Sequence, residues 1–265
     1  NTCGEVSPNK QAGCTPDMIR SQPTTTASHK GHVLVAEDNP VNIEVMREYL
    51  DGLGCSYVIA QNGREALEVE TREKFDIVLM DCQMPELDGL TATRVIRERA
   101  TQAGIRRIPI VAVTANAFES DRIEALSAGA DDLLSKPFEV HQLAAVLKKW
   151  INVASAKPVQ RPPQPVEMSP AAKAAATSLS KINEIYLKYS PDMIDKMEKA
   201  FLDGDTTVLN ASAHSLKSSS ANVGEHRLSQ LCKEIEALTK TDQLAKCGRL
   251  VQATVEEFAR VVVRL

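Results

Sequence analysis

An α/β domain followed by an all-α domain is predicted by two periodicities and by the stretch that divides them. From His32 to Ile151, short apolar runs alternate five times with longer amphipathic segments. Beyond residue 178 no short apolar run returns, and apolar side chains recur only at helical spacing. Between the two, Ala154 to Thr177 holds Pro158, Pro162, Pro163, Pro165 and Pro170 and then an alanine run. That composition suits an extended, semi-rigid tether of about 24 residues, with a reach of up to ~70 Å.

Taken in order, residues 1–30 are rich in Ser, Thr, Pro, Asn and Gln without apolar periodicity, as in a disordered lead-in. Strands are predicted at His32–Ala36, Ser56–Ala60, Phe75–Met80, Ile108–Val113 and Asp132–Leu134, each followed by a helix: Val41–Leu53, Gly63–Arg72, Leu90–Ala103, Ala117–Ala128 and Val140–Ile151. Strands joined by helices run parallel with right-handed crossovers, which gives a flavodoxin-like (βα)5 sheet covered on both faces. After the tether, Leu179/Ile182/Tyr186, Ile194/Met197/Phe201, Leu228/Leu231/Cys232/Ile235/Leu238 and Leu244/Cys247/Val251/Val255/Phe258/Val262 form the stripes of a helical bundle. The divisions are therefore a lead-in at 1–30, an α/β domain at 31–152, a Pro/Ala-rich linker at 153–177 and a bundle at 178–265.

The 265-residue chain is 43% hydrophobic and 25% charged, as expected of globular domains. A net charge of −4 and the lack of a dense Lys/Arg run argue against nucleic acid as a partner. No stretch approaches the ~18 apolar residues of a membrane span, so this segment is expected to make no direct membrane contact and to be cytoplasmic. The six cysteines include no CxxC pair, which reads as reduced thiols rather than a zinc site. The chain opens on Asn-Thr-Cys-Gly rather than Met, as a piece cut from a longer protein would.

The third predicted strand, Phe75-Asp76-Ile77-Val78-Leu79-Met80, runs into Asp81, which puts this carboxylate at the carboxyl edge of the sheet, where open α/β folds hold their ligands. Glu37 and Asp38 reach the same edge from the first strand. Three carboxylates within a few ångströms of one another need raised pKa values or a bound cation, and oxygen-only ligands in an open crevice suit Mg²⁺. The fourth strand ends on Thr114 and the fifth on Lys136-Pro137, so a hydroxyl donor and an ammonium face the acids. Metal, anion donors and a nucleophile together are the parts of a phosphoryl-transfer site.

These residues, Glu37-Asp38, Asp81 within MDCQMPELDG, Thr114-Ala115 and Lys136-Pro137-Phe138, resemble the response-regulator receiver family over residues 32–151. The resemblance implies that Asp81 accepts a phosphoryl group and that Asp38 and Asp81 ligate Mg²⁺ while Glu37 acts through water. It also implies that the backbone carbonyl of Gln83 completes the protein ligands, and that Thr114 and Lys136 bind phosphoryl oxygens. Receivers that switch by rotating an aromatic carry Tyr or Phe where this chain has Leu133. Gln83 and Asn116 occupy positions that tune water access in receivers, and neither amide is a base for water.

On the predicted helix around His214, Leu209, Ala213, Leu216, Ser220 and Val223 share one stripe, with His214, Lys217, Ser218 and Ala221 about 130° away. His214 is therefore expected to face water beside a surface free of bulky groups. Ala213-His214-Ser215-Leu216-Lys217-Ser218 and the residues that follow resemble the histidine-phosphotransfer motif, with Ser218 where the family usually has Gly. The resemblance implies that His214 carries a phosphoryl group that Lys217 helps to neutralise. Together the two stations read as a phosphorelay segment from the C-terminal part of a hybrid sensor histidine kinase. Its implied partners are an upstream kinase core in the same polypeptide and a separate downstream response regulator, with tethering to the inner membrane through upstream segments. No glycine-rich nucleotide loop or kinase core is present, so the phosphoryl group comes from elsewhere. Two other readings stay open: a receiver that only docks, with His214 inert, and an aspartyl-phosphate phosphatase, although such enzymes favour an acid where this chain has Gln83.

Overall fold

A computed structural model describes residues 31–115, 119–151, 171–241 and 243–265, with side chains at all of these except 120 and 171–179. The expected lead-in at 1–30, the proline-rich stretch at 152–170 and Asn116 lie outside the described residues. The first domain runs β1 (His32–Ala36), α1 (Pro40–Leu53), β2 (Ser56–Ala60), α2 (Gly63–Arg72), β3 (Ile77–Asp81), α3 (Gly89–Ala103), β4 (Ile110–Thr114), α4 (Glu119–Ala128), β5 (Asp132–Ser135) and α5 (Val140–Trp150). The second has α6 (Ala171–Asp203), α7 (Thr206–Asn222), α8 (His226–Lys240) and α9 (Leu244–Arg264). Because α6 already begins at Ala171, the last residues of the expected linker, 171–177, are helical.

All strand pairs are parallel, in the order β2-β1-β3-β4-β5. Alternate residues of each strand feed two separate cores, as the period of two demands. Val33, Val35, Ile77 and Leu79 pack under Met46, Leu50, Leu143 and Leu147 of α1 and α5. Leu34, Ala36, Val78 and Met80 pack on the opposite face against Ala66, Val69, Ala92 and Ile96 of α2 and α3. Burial on both faces explains why these strands read as unbroken apolar runs. Gly89 opens α3 directly against the carbonyl oxygen of Asp81, which occupies the space a Cβ would need. Only glycine lets the loop after β3 fold back so tightly.

The second core gathers Tyr186, Met197, Leu209, Leu216, Leu228, Ile235, Val251 and Phe258. The expected stripe on α9 needs one correction at its end, where Val261 is buried and Val262 is 47% exposed. A helix turning 100° per residue carries the buried row from Phe258 to the third residue onward here, not the fourth. Val41 and Val45, on the outer face of α1, belong to this second core rather than to the first domain's own. The bundle therefore docks through α6 and α7 onto α1, and the apolar cluster runs through the contact.

Candidate functional site

Parallel strand order decides what meets at the sheet's carboxyl edge. β1 and β3 are neighbours, so Glu37 and Asp38, just beyond β1, stand beside Asp81, the last residue of β3. One oxygen from each of the three acids lies within 4.8 Å of the others. Lys136, which follows β5, reaches across and places Nζ 2.5 Å from both Glu37 Oε2 and Asp81 Oδ2. Glu37 and Asp81 are buried, at 1% and 2% exposure. The Gln83 backbone N–H donates to Asp81 Oδ1 at 3.1 Å, and the buried Thr114 lines the same cavity.

One ammonium does not balance three carboxylates, and burial adds to the cost of keeping these acids ionised. Burial, reinforced by Asp81 and Asp38, pushes Glu37 up to about 8 despite the opposing Lys136. Burial and the charge on Asp81 raise Asp38 to about 6, with Lys136 and His214 pulling the other way. Burial on its own lowers the pKa of Lys136, but Asp81 and Glu37 more than reverse that and raise it. This set of hard oxygen donors, over-supplied with negative charge and open to a cavity, fits a divalent cation such as Mg²⁺.

The second half of the site comes from α7. Leu209, Ala213, Leu216 and Ser220 turn into the bundle as their stripe requires. His214 lies on the other side, yet it is only 7% exposed, and Lys217 and Ser218 are buried with it. The expectation that His214 faces water is thus corrected: the helix is oriented as predicted, but the docked first domain covers that face. Asp81, Gln83, Thr114, Ala115 and His214 line one cavity of about 320 Å³. The Nε2 of His214 is buried and has no hydrogen-bond partner among the described residues.

Glu236, on α8, is not among the residues expected from sequence. Its Oε1 sits 2.7 Å from His214 Nδ1, and its Oε2 accepts from Lys217 Nζ. Burial alone raises a carboxyl pKa, but the hydrogen bond from His214 and the charges of His214 and Lys217 hold Glu236 below the ordinary value. An ionised Glu236 only accepts, so Nδ1 carries a proton toward it, and in the neutral form of the imidazole the lone pair is on Nε2. The sequence does hold a sign of this, since Glu236 falls four residues after buried Cys232 and interrupts an apolar stripe. Lys217, expected to serve a phosphoryl group, is held by this carboxylate. Leu133 packs with Ala112, Ala125 and Ala130.

Polar contacts complete the docking. Asn39 caps α1 through Oδ1, 2.9 Å from the Val41 N–H, while its Nδ2 donates to Ser215 O at 3.0 Å and Ser219 Oγ at 2.7 Å. Asn222 Nδ2 donates to Asn42 Oδ1 at 2.8 Å, and Lys181 pairs with Glu44. Among the described residues, no helix is long and apolar enough to cross a membrane.

Residues 33–148 match the response regulator receiver domain, and residues 181–263 match the Hpt domain. The sensor histidine kinase GacS of Pseudomonas protegens is 38% identical over 141 residues, 53% of this chain and 15% of that protein. The aerobic respiration control sensor protein ArcB of Escherichia coli O157:H7 is 30% identical over 243 residues, 86% of this chain but 30% of that protein. This chain therefore spans less than a third of either relative's length. The receiver domain of sensor histidine kinase PA1611 from Pseudomonas aeruginosa, solved with magnesium in its active-site cleft, is 41% identical over 46% of this chain and 97% of that one, with a TM-score of 0.42. The chain accordingly joins a member of the receiver family to a member of the Hpt family, the parts of a two-component phosphorelay, and its relatives include sensor and hybrid histidine kinases.

Proposed function

We propose that Asp81 accepts a phosphoryl group from a histidine kinase and exchanges it with His214 of the same chain, which then serves the aspartate of a separate response regulator. The observation that carries this reading is His214 itself, which lines the cavity that holds Asp81 and whose buried Nε2 has no hydrogen-bond partner among the described residues. In the Asp-to-His direction, the Nε2 lone pair forms the N–P bond as the P–O bond to Asp81 breaks, and the bonding pair returns to the Asp81 carboxylate. No proton has to move, because Nδ1 keeps its proton and its hydrogen bond to Glu236, whose charge stabilises the imidazolium character that develops. The reverse transfer uses the same atoms, since an acyl phosphate and a phosphohistidine are both high-energy species.

Thr114 and Lys136 stand where they can donate to phosphoryl oxygens, and Lys217 adds positive charge on the histidine side. Glu37, Asp38 and Asp81, with the Gln83 carbonyl, would hold Mg²⁺, which when bound neutralises charge on the transferring group. The kinase core belongs to the same polypeptide in this reading, with the segment on the cytoplasmic side of a membrane reached through other parts of the protein. Labelling by an upstream kinase tests the order of the stations. Asp81→Asn should abolish label at both sites, and His214→Gln should leave Asp81 labelled while it blocks the downstream regulator. Regulator phosphorylation by His214→Gln at the wild-type rate would refute the relay.

A further inference from the structure

Asn42 joins two places that the phosphoryl chemistry treats separately. Its Nδ2 donates to Glu37 Oε1 at 2.8 Å, inside the acid crevice. Its Oδ1 accepts from Asn222 Nδ2 at 2.8 Å, across the contact with α7. Asn42 is 5% exposed and Glu37 1%, so water competes poorly for either bond. The other Glu37 oxygen, Oε2, is taken by Lys136. Among the described residues, Oε1 receives besides Asn42 only a longer bond, 3.3 Å, from the Asn39 backbone.

We propose that Asn42 is a positioning residue that couples docking of the Hpt domain to cation binding in the receiver crevice. The inference rests on the reading of Glu37, Asp38 and Asp81 as a Mg²⁺ site and adds to it a control from the second domain. A carboxamide has one donor end and one acceptor end, so fixing one end fixes the other. With Asn222 donating to Oδ1, the amide is held with Nδ2 toward Glu37, and the carboxylate keeps its orientation and its paired charge. When α7 leaves, Oδ1 loses that partner and the side chain is free to turn away, which releases Glu37 on the Oε1 side. Docking should therefore tighten cation binding. By linkage, the bound cation tightens docking by the same factor. The Hpt domain would then sit most firmly on a receiver whose crevice is charged for transfer.

Ser219 provides the control. It receives Asn39 Nδ2 in the same interface, but that amide's other end caps α1, and Asn39 reaches Glu37 through its backbone N–H at the longer 3.3 Å rather than through the side chain. Mg²⁺ titration of the whole chain by calorimetry, on Asn222→Ala, Ser219→Ala, Asn42→Ala and the Asn42→Ala/Asn222→Ala double variant, reads the coupling without any phosphoryl transfer. Asn222→Ala should weaken Mg²⁺ by about three- to ten-fold, the worth of one net hydrogen bond. Asn42→Ala should weaken it at least as much, the double variant no further than Asn42→Ala alone, and Ser219→Ala by less than about two-fold. An unchanged affinity in Asn222→Ala, additive losses in the double variant, or equal losses in Asn222→Ala and Ser219→Ala would each overturn the coupling. Mg²⁺ binding that survives Asp38→Asn unaltered would instead overturn the metal reading, and the coupling with it.

Discussion

In the receiver crevice three carboxylates share one ammonium, Lys136, whereas around His214 one carboxylate, Glu236, faces one ammonium, Lys217. Both groupings bury a nucleophile, and both tie a lysine to an acid. The difference appears in the acids. Glu37 and Asp38 are pushed up by burial and mutual repulsion, whereas Glu236 is held down by its partners. The first grouping is short of positive charge and calls for a cation. The second is complete with protein groups alone, and its task is to hold one imidazole tautomer. A phosphoryl group can pass between such sites because one supplies charge neutralisation and the other a lone pair.

The largest consequence falls on the unbalanced side. Asp38→Asn removes one cation ligand and should cut Mg²⁺-dependent labelling of Asp81 by acetyl phosphate by at least about 100-fold, the scale of losing one electrostatic contact to a reacting group. Labelling at the wild-type rate and with the wild-type Mg²⁺ dependence would show that this acid does not hold the metal.

On the balanced side, Glu236→Gln keeps the shape but no longer enforces the Nδ1–H tautomer. Transfer to His214 should slow by about 10- to 100-fold, as for other residues that orient a histidine, while labelling of Asp81 is untouched. The same carboxylate makes a pH-dependent contribution to stability. Its folded pKa is depressed below the ordinary 4.5, so the stability it adds is fully present above 4.5 and is lost as pH falls through the lower folded value. Urea unfolding should thus separate wild type from Glu236→Gln by about 1–3 kcal/mol near neutrality, and the gap should close in acid. A gap that widens in acid would reverse the assigned direction.

In the contact that holds the two groupings together, apolar and charged contributions can be ranked. Val45→Asp should weaken docking by about 1.5–3 kcal/mol, because it exposes the apolar cluster between α1 and the bundle. Lys181→Ala should cost under about 1 kcal/mol, since that lysine is mostly exposed. Paramagnetic or fluorescence distance measurements between the domains would rank the two, and a larger effect from Lys181 would mean that charge rather than apolar burial drives docking.

Much of this arrangement is legible in the order of residues alone. Sheet-edge carboxylates are set by where apolar runs stop, so strand ends suffice to place Glu37, Asp38, Asp81, Thr114 and Lys136. The stripe on α7 likewise puts His214 on the correct helix face. Its burial is not legible, because that depends on a second body covering the helix. Glu236 escapes for a related reason: it comes from a different helix, and its meeting with His214 is fixed by how α7 and α8 pack rather than by spacing along either. Asn39 and Asn42 are the N-cap and a first-turn residue of α1, and nothing local in the sequence reveals that their amides also bind α7.

In the proposed relay, Asp81 and His214 exchange a phosphoryl group within one chain. Chain labelled at Asp81 by acetyl phosphate with His214→Gln, and wild-type chain labelled in the same way, can be followed after donor removal across a hundred-fold range of protein concentration. The docked arrangement predicts that only wild type gains acid-labile phosphohistidine, with a first-order rate that does not change with concentration. A rate that rises in proportion to concentration, or base-stable, acid-labile label that forms equally in His214→Gln, would contradict it.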